Sequence, residues 1–364
     1  MVDRGRQTTA LSPPSGTPDV TLQINLCAGD LAYGERIVSA LVATHRPDVR
    51  EVVIVADACR PHSTPWLHAA SRFPAATFTG QVAHLRTLCT SLQSAGVADR
   101  IVWLEPDPAA LRALNAKYTG VATPRSHDHL GHAFGAYFLG WESARTRYVA
   151  HFDADIVLWQ QSGFHWLHSA IAALERDATL LGVSPRIAPP PEGDGMVRTE
   201  ASGSGWLSTW PLERATGGWR SPWFSTRCHL IDRERLAAVL PLQPARGRAA
   251  DHRAATLDHW LAPLFSSGVL TRSPRRLMRA VAARIPPFPL PPEVLLHEQA
   301  QARGFACLYL DDPRSWFIHP DTKPEIFLRL LPRLLAVAGQ RGEFPAAQRG
   351  VSGVQFAAWE SFSP

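Results

Sequence analysis

The amino-acid sequence predicts an α/β fold in which a mostly parallel sheet is flanked by helices in a single domain, with a C-terminal helix packed on it. Three observations predict it. Continuous apolar segments of strand length alternate with segments whose apolar residues recur at helical spacing, the pattern of successive βαβ units. Several of those strands end in aspartate (Asp30, Asp57, Asp153 and Asp155), at the sheet end where such folds place ligands. A chain of 364 residues is long enough to bury the core that such a sheet requires.

Taken in order, "VTLQINLCAGD" (20–30) alternates into a buried strand and turns at Gly29-Asp30. "GERIVSALVATH" follows as a helix with Ile37, Leu41 and Thr44 on one face. "REVVIVADACRP" is an apolar strand ending in Asp57 and stopped by Pro61. "RIVWLEPDP" (100–108) is a third strand, and "DPAALRALNAKY" a short helix. Leu130, Phe134, Tyr137, Phe138 and Trp141 form a helical stripe ahead of the strand in "RYVAHFDADIVLW" (147–159). In the second half, "ATLLGVSPRI" and "STRCHLI" read as strands, and Asp232 caps the helix "RERLAAVL". Residues 189–222 are rich in Pro, Gly and Ser and read as a long loop carrying Trp206, Trp210 and Trp219, with Trp223 just beyond it. "ATLDHWLAPLF" (255–265) reads as a helix, and "GFACLYLDD" and "SWFIHP" as short strands. Thr322 and Glu325 make a capping box for "PEIFLRLLPRLLAVAG", an amphipathic helix bent at Pro332.

Composition narrows the function. No apolar run approaches the length of a membrane span, and the first 19 residues read as a disordered tail rather than a signal peptide. Five scattered cysteines, never spaced as CxxC, point to a reduced cytoplasm and away from a structural zinc site. The net charge of +5 is dispersed, which argues against a nucleic-acid stripe and leaves peripheral membrane contact open. Lys117 and Lys323 are the only lysines in a chain rich in Arg, Ala and Pro, a coding bias of GC-rich bacteria.

Asp153 and Asp155 end an apolar strand that does not tolerate unpaired charge. Acids at alternate positions there project to one side and suit a hard divalent cation, which keeps open positions for phosphate oxygens. On these residues, "RYVAHFDADIVLW" resembles the Asp-x-Asp segment of glycosyltransferases with the GT-A fold, especially family-2-like members. The resemblance extends over roughly residues 20–320 through the order of elements. It implies transfer of a sugar from a nucleotide-diphosphate donor to a hydroxyl acceptor, which would be a glycan, a lipid or a natural product. It implies Mn²⁺ or Mg²⁺ on Asp153, Asp155 and His319, the late histidine of "SWFIHP". Leu26, Cys27, Ala28 and Asp57 would hold the nucleoside, and Asp153 and Ala154 would contact the donor. Asp258 in "TLDHW" would be the general base of an inverting displacement, with Asp251 its competitor. Residues 20–160 would form the donor half, 161–322 the acceptor half, and 323–364 a C-terminal helix and tail.

Plainer readings stand beside these. Asp57 could cap a turn, His319 could be a core histidine, and Asp258 could be a favourable charge near a helix N-terminus. The tryptophans could be packing, although such rings also stack on sugar faces. His127, His129, His132 and His151 lack metal-ligand spacing and read as polar lining. Among rival enzymes, a haloacid-dehalogenase-like phosphohydrolase would use Asp153 as nucleophile, with "CLYLDD" supplying a later acidic pair. Against it, no lysine lies between Asp155 and Asp311, and a complete βαβ half precedes the motif. A nucleotidyltransferase would need a Gly-rich, Lys-bearing loop that "LCAGDLAYGER" lacks, and a degenerate carbohydrate-binding module would not keep the acids.

Overall fold

A computed structural model describes residues 18–363 apart from 64–68, 70–72, 129–130, 194, 198–211, 222, 244–291, 321–322 and 324. Nine strands form one sheet in the order β3-β2-β1-β4-β9-β6-β10-β8-β7. Its members are β1 (Val20–Cys27), β2 (Glu51–Asp57), β3 (Arg100–Leu104), β4 (Tyr148–Asp153), β6 (Leu180–Ser184), β7 (Glu213–Ala215), β8 (Gly218–Ser221), β9 (Cys228–Asp232) and β10 (Ala306–Leu310). β3, β2, β1 and β4 are mutually parallel, and β6 and β10 are parallel to each other. β9 runs against both β4 and β6, and β8 runs against β10 and β7. Every strand but β8 and β9 therefore points the same way. β5 (Val157–Gln160) pairs with β11 (Ser315–Ile318) in a separate antiparallel ribbon.

Helices cover both faces, as buried parallel strands demand. On one face β1 presents Val20, Leu22, Ile24 and Leu26 to a core shared with α1 (Gly34–His45), α2 (Ala75–Ser94), α5 (Trp166–Arg176) and α8 (Glu325–Val337). The other face meets α3 (Pro108–Thr119), α4 (Gly135–Ser143), α6 (Arg233–Val239) and α7 (Pro292–Ala302) through Phe134, Phe138, Trp141, Val149 and Ile231. On this second face β1 carries Thr21 and Gln23, both fully buried. A Cβ at Gly140 would lie 1.9 Å from Gln23 Nε2, so a larger residue there would force the buried Gln23 amide to move. α8, the C-terminal helix that the sequence predicts, packs Phe327, Leu331 and Leu334 on the first core, and α9 (Phe356–Ser361) adds Trp359 beside it.

Several expectations need correction. In α1 the buried stripe is Ile37, Val38, Leu41, Val42 and His45, while Thr44 is only half-buried and turns its hydroxyl to the Ala40 carbonyl. His45 replaces it in the core because it accepts the Trp166 indole N–H at 2.8 Å, and burial keeps it neutral by pushing its pKa down to about 4. The 189–222 stretch is not all loop: Glu213–Ser221 is a β-hairpin on the sheet edge, and Trp219 sits in β8 beneath the Arg214 guanidinium, 4.1 Å from its ring centre. Trp206, Trp210, Thr322 and the predicted helix 255–265 lie outside the described residues. Among the described residues, no helix is long and apolar enough to cross a membrane.

The join between β9 and α6 rests on Asp232, which is fully buried. Its Oδ1 accepts from the Glu234 and Arg235 amides, and its Oδ2 accepts from Arg147 at 2.8 Å. Asp232→Ala removes a helix cap and the nearer of the two acids that pair with Arg147. Unfolding free energy should fall by about 2–3 kcal/mol, seen as a lower urea midpoint at unchanged slope. A change within about 0.5 kcal/mol, typical of an ordinary surface position, would contradict this.

Candidate functional site

The chain runs outward from β1 to β2 and β3, then returns to place β4 on the other side of β1. The sheet therefore splits between β1 and β4 at their carboxyl ends, where open α/β sheets bind ligands. Register lines up the acids around this split. Cys27 lies opposite Asp57 across β1 and β2, and Asn25 lies opposite Asp153 across β1 and β4.

After β1 a short turn (Ala28–Asp30) folds Asp30 back onto the strand end. Its Oδ2 accepts the Cys27 amide at 2.8 Å, and its Oδ1 accepts the Tyr33 hydroxyl. Burial pushes its carboxyl above the usual range, opposed by Lys323 and the Tyr33 bond. Leu26 is committed to the core and Ala28 is buried, so of Leu26, Cys27 and Ala28 only Cys27 is half-open.

Asp57 is buried beneath the same rim, with Oδ1 accepting the Cys59 amide at 2.7 Å and Oδ2 left without a hydrogen-bond partner among the described residues. The Cys59 bond is the turn contact expected of an aspartate here, and the orphan Oδ2 is what a turn alone does not explain. His127 Nε2 lies 3.6 Å from Oδ2. Distance alone suggests an ion pair, but burial pushes Asp57 up to about 7 and His127 down to about 4. Between those values both groups are neutral.

Asp153 closes β4. Its Oδ1 accepts the Tyr137 hydroxyl at 2.7 Å and lies 3.2 Å from His151 Nε2. His151 is itself fully buried and stacked on His229 at 5.1 Å. Asp155 is two residues on, past a turn in which the Ile156 amide donates to the Asp153 carbonyl. Ala154 between them is buried in the core. Asp155 Oδ2 receives the Lys323 ammonium at 3.0 Å, and its buried Oδ1 has no hydrogen-bond partner among the described residues. Burial raises both carboxyls and each acid repels the other. Asp153 ends high, while Lys323 and Arg227 together hold Asp155 below the usual carboxylate range.

His319 follows β11 and is held by its backbone to Ser352 and Val354. Its Nδ1 lies 3.4 Å from Arg227 Nη1, and burial together with Arg227 pushes it down to about 4. The ring is therefore neutral, as a ligand must be, and within electrostatic reach of Asp155. Glu293, in the first turn of α7, completes the rim: it interacts with Arg227, His132 and Asp153, and burial raises its carboxyl. Asp251 and Asp258 lie outside the described residues.

Does this set suit a divalent cation? Among the described residues, no three His, Cys, Asp or Glu side chains converge as a preformed ligand cage. What is present is an acid pair with an orphan oxygen on Asp155 and a raised carboxyl on Asp153, both signs of too little positive charge. That fits a cation whose remaining ligands come from a bound diphosphate, with Asp155 and Asp153 as the protein's share. His319 faces Arg227, so its part in such a set stays a proposal. A separate cleft of about 520 Å³ is lined by Trp103, Leu111, Leu114 and Leu139 and contains none of these acids.

Sequence reasoning did not identify Lys323, Arg227, Tyr137 or Glu293 as site residues. Lys323, Arg227 and Glu293 are distant in sequence from the Asp-x-Asp pair, and Tyr137, 16 residues ahead of Asp153, reads from periodicity as part of an apolar helical stripe.

No protein-family model and no curated protein matches this sequence. Solved structures overlap it in part. A mannosyltransferase from Pyrobaculum calidifontis in complex with GDP-Man and Mn²⁺ covers 93% of this chain and 80% of its own at 16% identity and a TM-score of 0.32. A galactosyltransferase, LgtC, in complex with donor and acceptor sugar analogues covers 87% and 95% at 9% identity and a TM-score of 0.33. A mycobacterial protein covers 88% and 75% at 13% identity and a TM-score of 0.31. At such scores the overlaps carry no argument about this chain, whose reading rests on its own site.

Asp57 gives that site a pH signature. A carboxyl raised to about 7 in the folded state, against an ordinary 3.8, favours folding while protonated. Its contribution is complete below about pH 4 and is lost as pH rises through about 7. Asp57→Asn, which keeps the acceptor for the Cys59 amide, should match wild type near pH 4 and gain about 4 kcal/mol at pH 8. Paired urea titrations at the two pH values measure the difference; an equal effect at both would show that Asp57 is not a buried, proton-holding acid.

Proposed function

We propose that the protein is a metal-dependent glycosyltransferase that moves a sugar from a nucleotide-diphosphate donor to a hydroxyl acceptor. One observation carries the reading: Asp30, Asp57, Asp153 and Asp155 all meet at the carboxyl ends of β1, β2 and β4, around the split in the sheet. Buried acids are costly unless something positive completes them. A diphosphate with its divalent cation is such a completion at a switch point.

In this reading the Asp57 orphan oxygen and the half-open Cys27 rim orient the nucleoside. Asp155 and Asp153 hold Mn²⁺ or Mg²⁺, with His319 beside them. The cation would supply charge neutralisation for the departing diphosphate. Tyr137 fixes the Asp153 carboxylate through its hydroxyl, and Arg227 sets the local potential between Asp155, Asp153 and Glu293. The acceptor proton would pass to Asp258, with Asp251 as its competitor, in a single inverting displacement. The acceptor is a hydroxyl on a glycan, a lipid or a natural product. The placement of the work is cytoplasmic, from the reduced-thiol reading of the sequence; all five cysteines are free in the structure.

The phosphohydrolase alternative loses its second acidic pair. Asp311 is tied to Arg186 and Arg214, and Asp312 to Arg314. β10, which they follow, is separated from β4 by β9 and β6.

The test is a thermal-shift panel of UDP, GDP, ADP and TDP with and without Mn²⁺. A ligand binding only the folded form at one hundred times its dissociation constant adds about 2.7 kcal/mol. At least one nucleotide should stabilise the protein more with Mn²⁺ than without it. Asp155→Ala should remove that metal-dependent part and leave the fold intact. Equal, poor binding of all four in both conditions would end the donor-site reading.

A further inference from the structure

Lys323 meets the acid cluster from β11's side of the fold. Its ammonium lies 3.0 Å from Asp155 Oδ2, 3.7 Å from Asp30 Oδ1 and 5.3 Å from the centre of the Tyr33 ring. Both acids are nearly buried, with side-chain exposures of 9% and 11%, while the lysine stem is 39% exposed. A charge so placed reaches the acids from solvent without being locked in. Asp30 is fixed by the Cys27 amide and the Tyr33 hydroxyl, and Asp155 keeps a second, buried oxygen with no hydrogen-bond partner among the described residues. These features describe a seat for a compact cation in which Asp155 is under-coordinated.

The identity of the residue is informative as well. Of 37 basic residues in the chain only Lys117 and Lys323 are lysines, leaving 37 − 2 = 35 arginines. A guanidinium is broad, planar and bidentate, whereas an ammonium is a small, strongly hydrated point charge. Where arginine is the default cation, this seat holds the side chain whose charge most resembles a metal ion in size.

We propose that Lys323 is a tethered counter-ion that occupies Asp155 in the ligand-free protein and competes there with the divalent cation. The inference rests on the donor-site reading above and adds to it a control on metal binding. With the ammonium seated, a divalent ion alone must displace it or share its acid. A nucleoside diphosphate changes the balance, since its oxygens supply both further metal ligands and a new partner for the displaced ammonium. Metal and nucleotide should then bind together rather than the metal alone.

Loss of the free Mn²⁺ electron paramagnetic resonance signal on titration into protein measures metal occupancy without any turnover. Without nucleotide, Lys323→Met and Lys323→Gln should each bind Mn²⁺ about tenfold or more tightly than wild type, because a like charge has left the site. Lys323→Arg keeps the charge but not the compact shape and should fall between wild type and the neutral variants. With UDP or GDP present, wild type should bind Mn²⁺ well and the gain from Lys323→Met should shrink. Unchanged or weaker Mn²⁺ binding by both neutral variants would overturn the competition, while nucleotide-linked binding lost in Asp155→Ala would leave the donor site standing. Absence of Mn²⁺ binding by every protein with either nucleotide would overturn both.

Discussion

Concentrating carboxylates at one end of a parallel sheet sets the terms for the rest of this structure. Each acid loses hydration when the helices close over the strand ends, and like charges nearby make the loss worse. The chain answers in three ways. Asp30 and Asp57 are bonded to backbone amides, Asp153 to a tyrosine hydroxyl, and Asp155 to an ammonium. The residual imbalance shows in the carboxyls pushed upward at Asp30, Asp57 and Asp153 and in the orphan oxygens of Asp57 and Asp155. A fold selected for stability alone would not keep such a cluster, and its position at the β1–β4 split is where a charged ligand would repay it.

The surrounding architecture serves to hold that cluster still. α4 sets Gly140 against Gln23 of β1 and brings Tyr137 to Asp153 from the same helix. β9, running antiparallel beside β4, places Arg227 at its start, where its carbonyl accepts the Asp153 amide and its guanidinium faces His319. The β5–β11 ribbon carries the chain from Asp155 outward and returns it at His319, four residues before Lys323. Residues far apart in sequence thus reach one point because strand register leaves them no other.

Much of this was legible in the sequence where the signal is local. The strands ending in Asp57 and Asp153 are largely apolar runs, and Asp232 caps its helix as its position predicts, while Asp30 and Asp155 lie in the turns just beyond β1 and β4. The signal failed where burial depends on a partner. His45 sits in the core with both ring nitrogens bonded, Nδ1 to the Leu41 carbonyl and Nε2 to the Trp166 indole, and no periodicity rule buries a histidine in preference to Thr44. α2 buries only Phe78, Leu85, Cys89 and Leu92 in twenty residues and exposes Thr, Gln and Ser, so its stripe is faint. The hairpin at Glu213–Ser221 is short, and its Thr216-Gly217 turn is submerged in a Gly- and Pro-rich stretch. Lys323 and Arg227 were invisible as site residues for a simpler reason: a lone basic residue acquires meaning only from the acid opposite it.

The central claim is that this acid cluster is completed by a nucleoside diphosphate and a divalent cation. A crystal structure of the full chain with a nucleoside diphosphate and Mn²⁺, located by the anomalous signal of manganese, tests it most directly. The account predicts a manganese peak against Asp155 with phosphate oxygens on its far side, the nucleoside along Cys27 and Asp57, and the Lys323 ammonium moved off Asp155. A nucleotide bound away from the β1–β4 split, or a manganese peak that leaves Asp155 untouched, would contradict it.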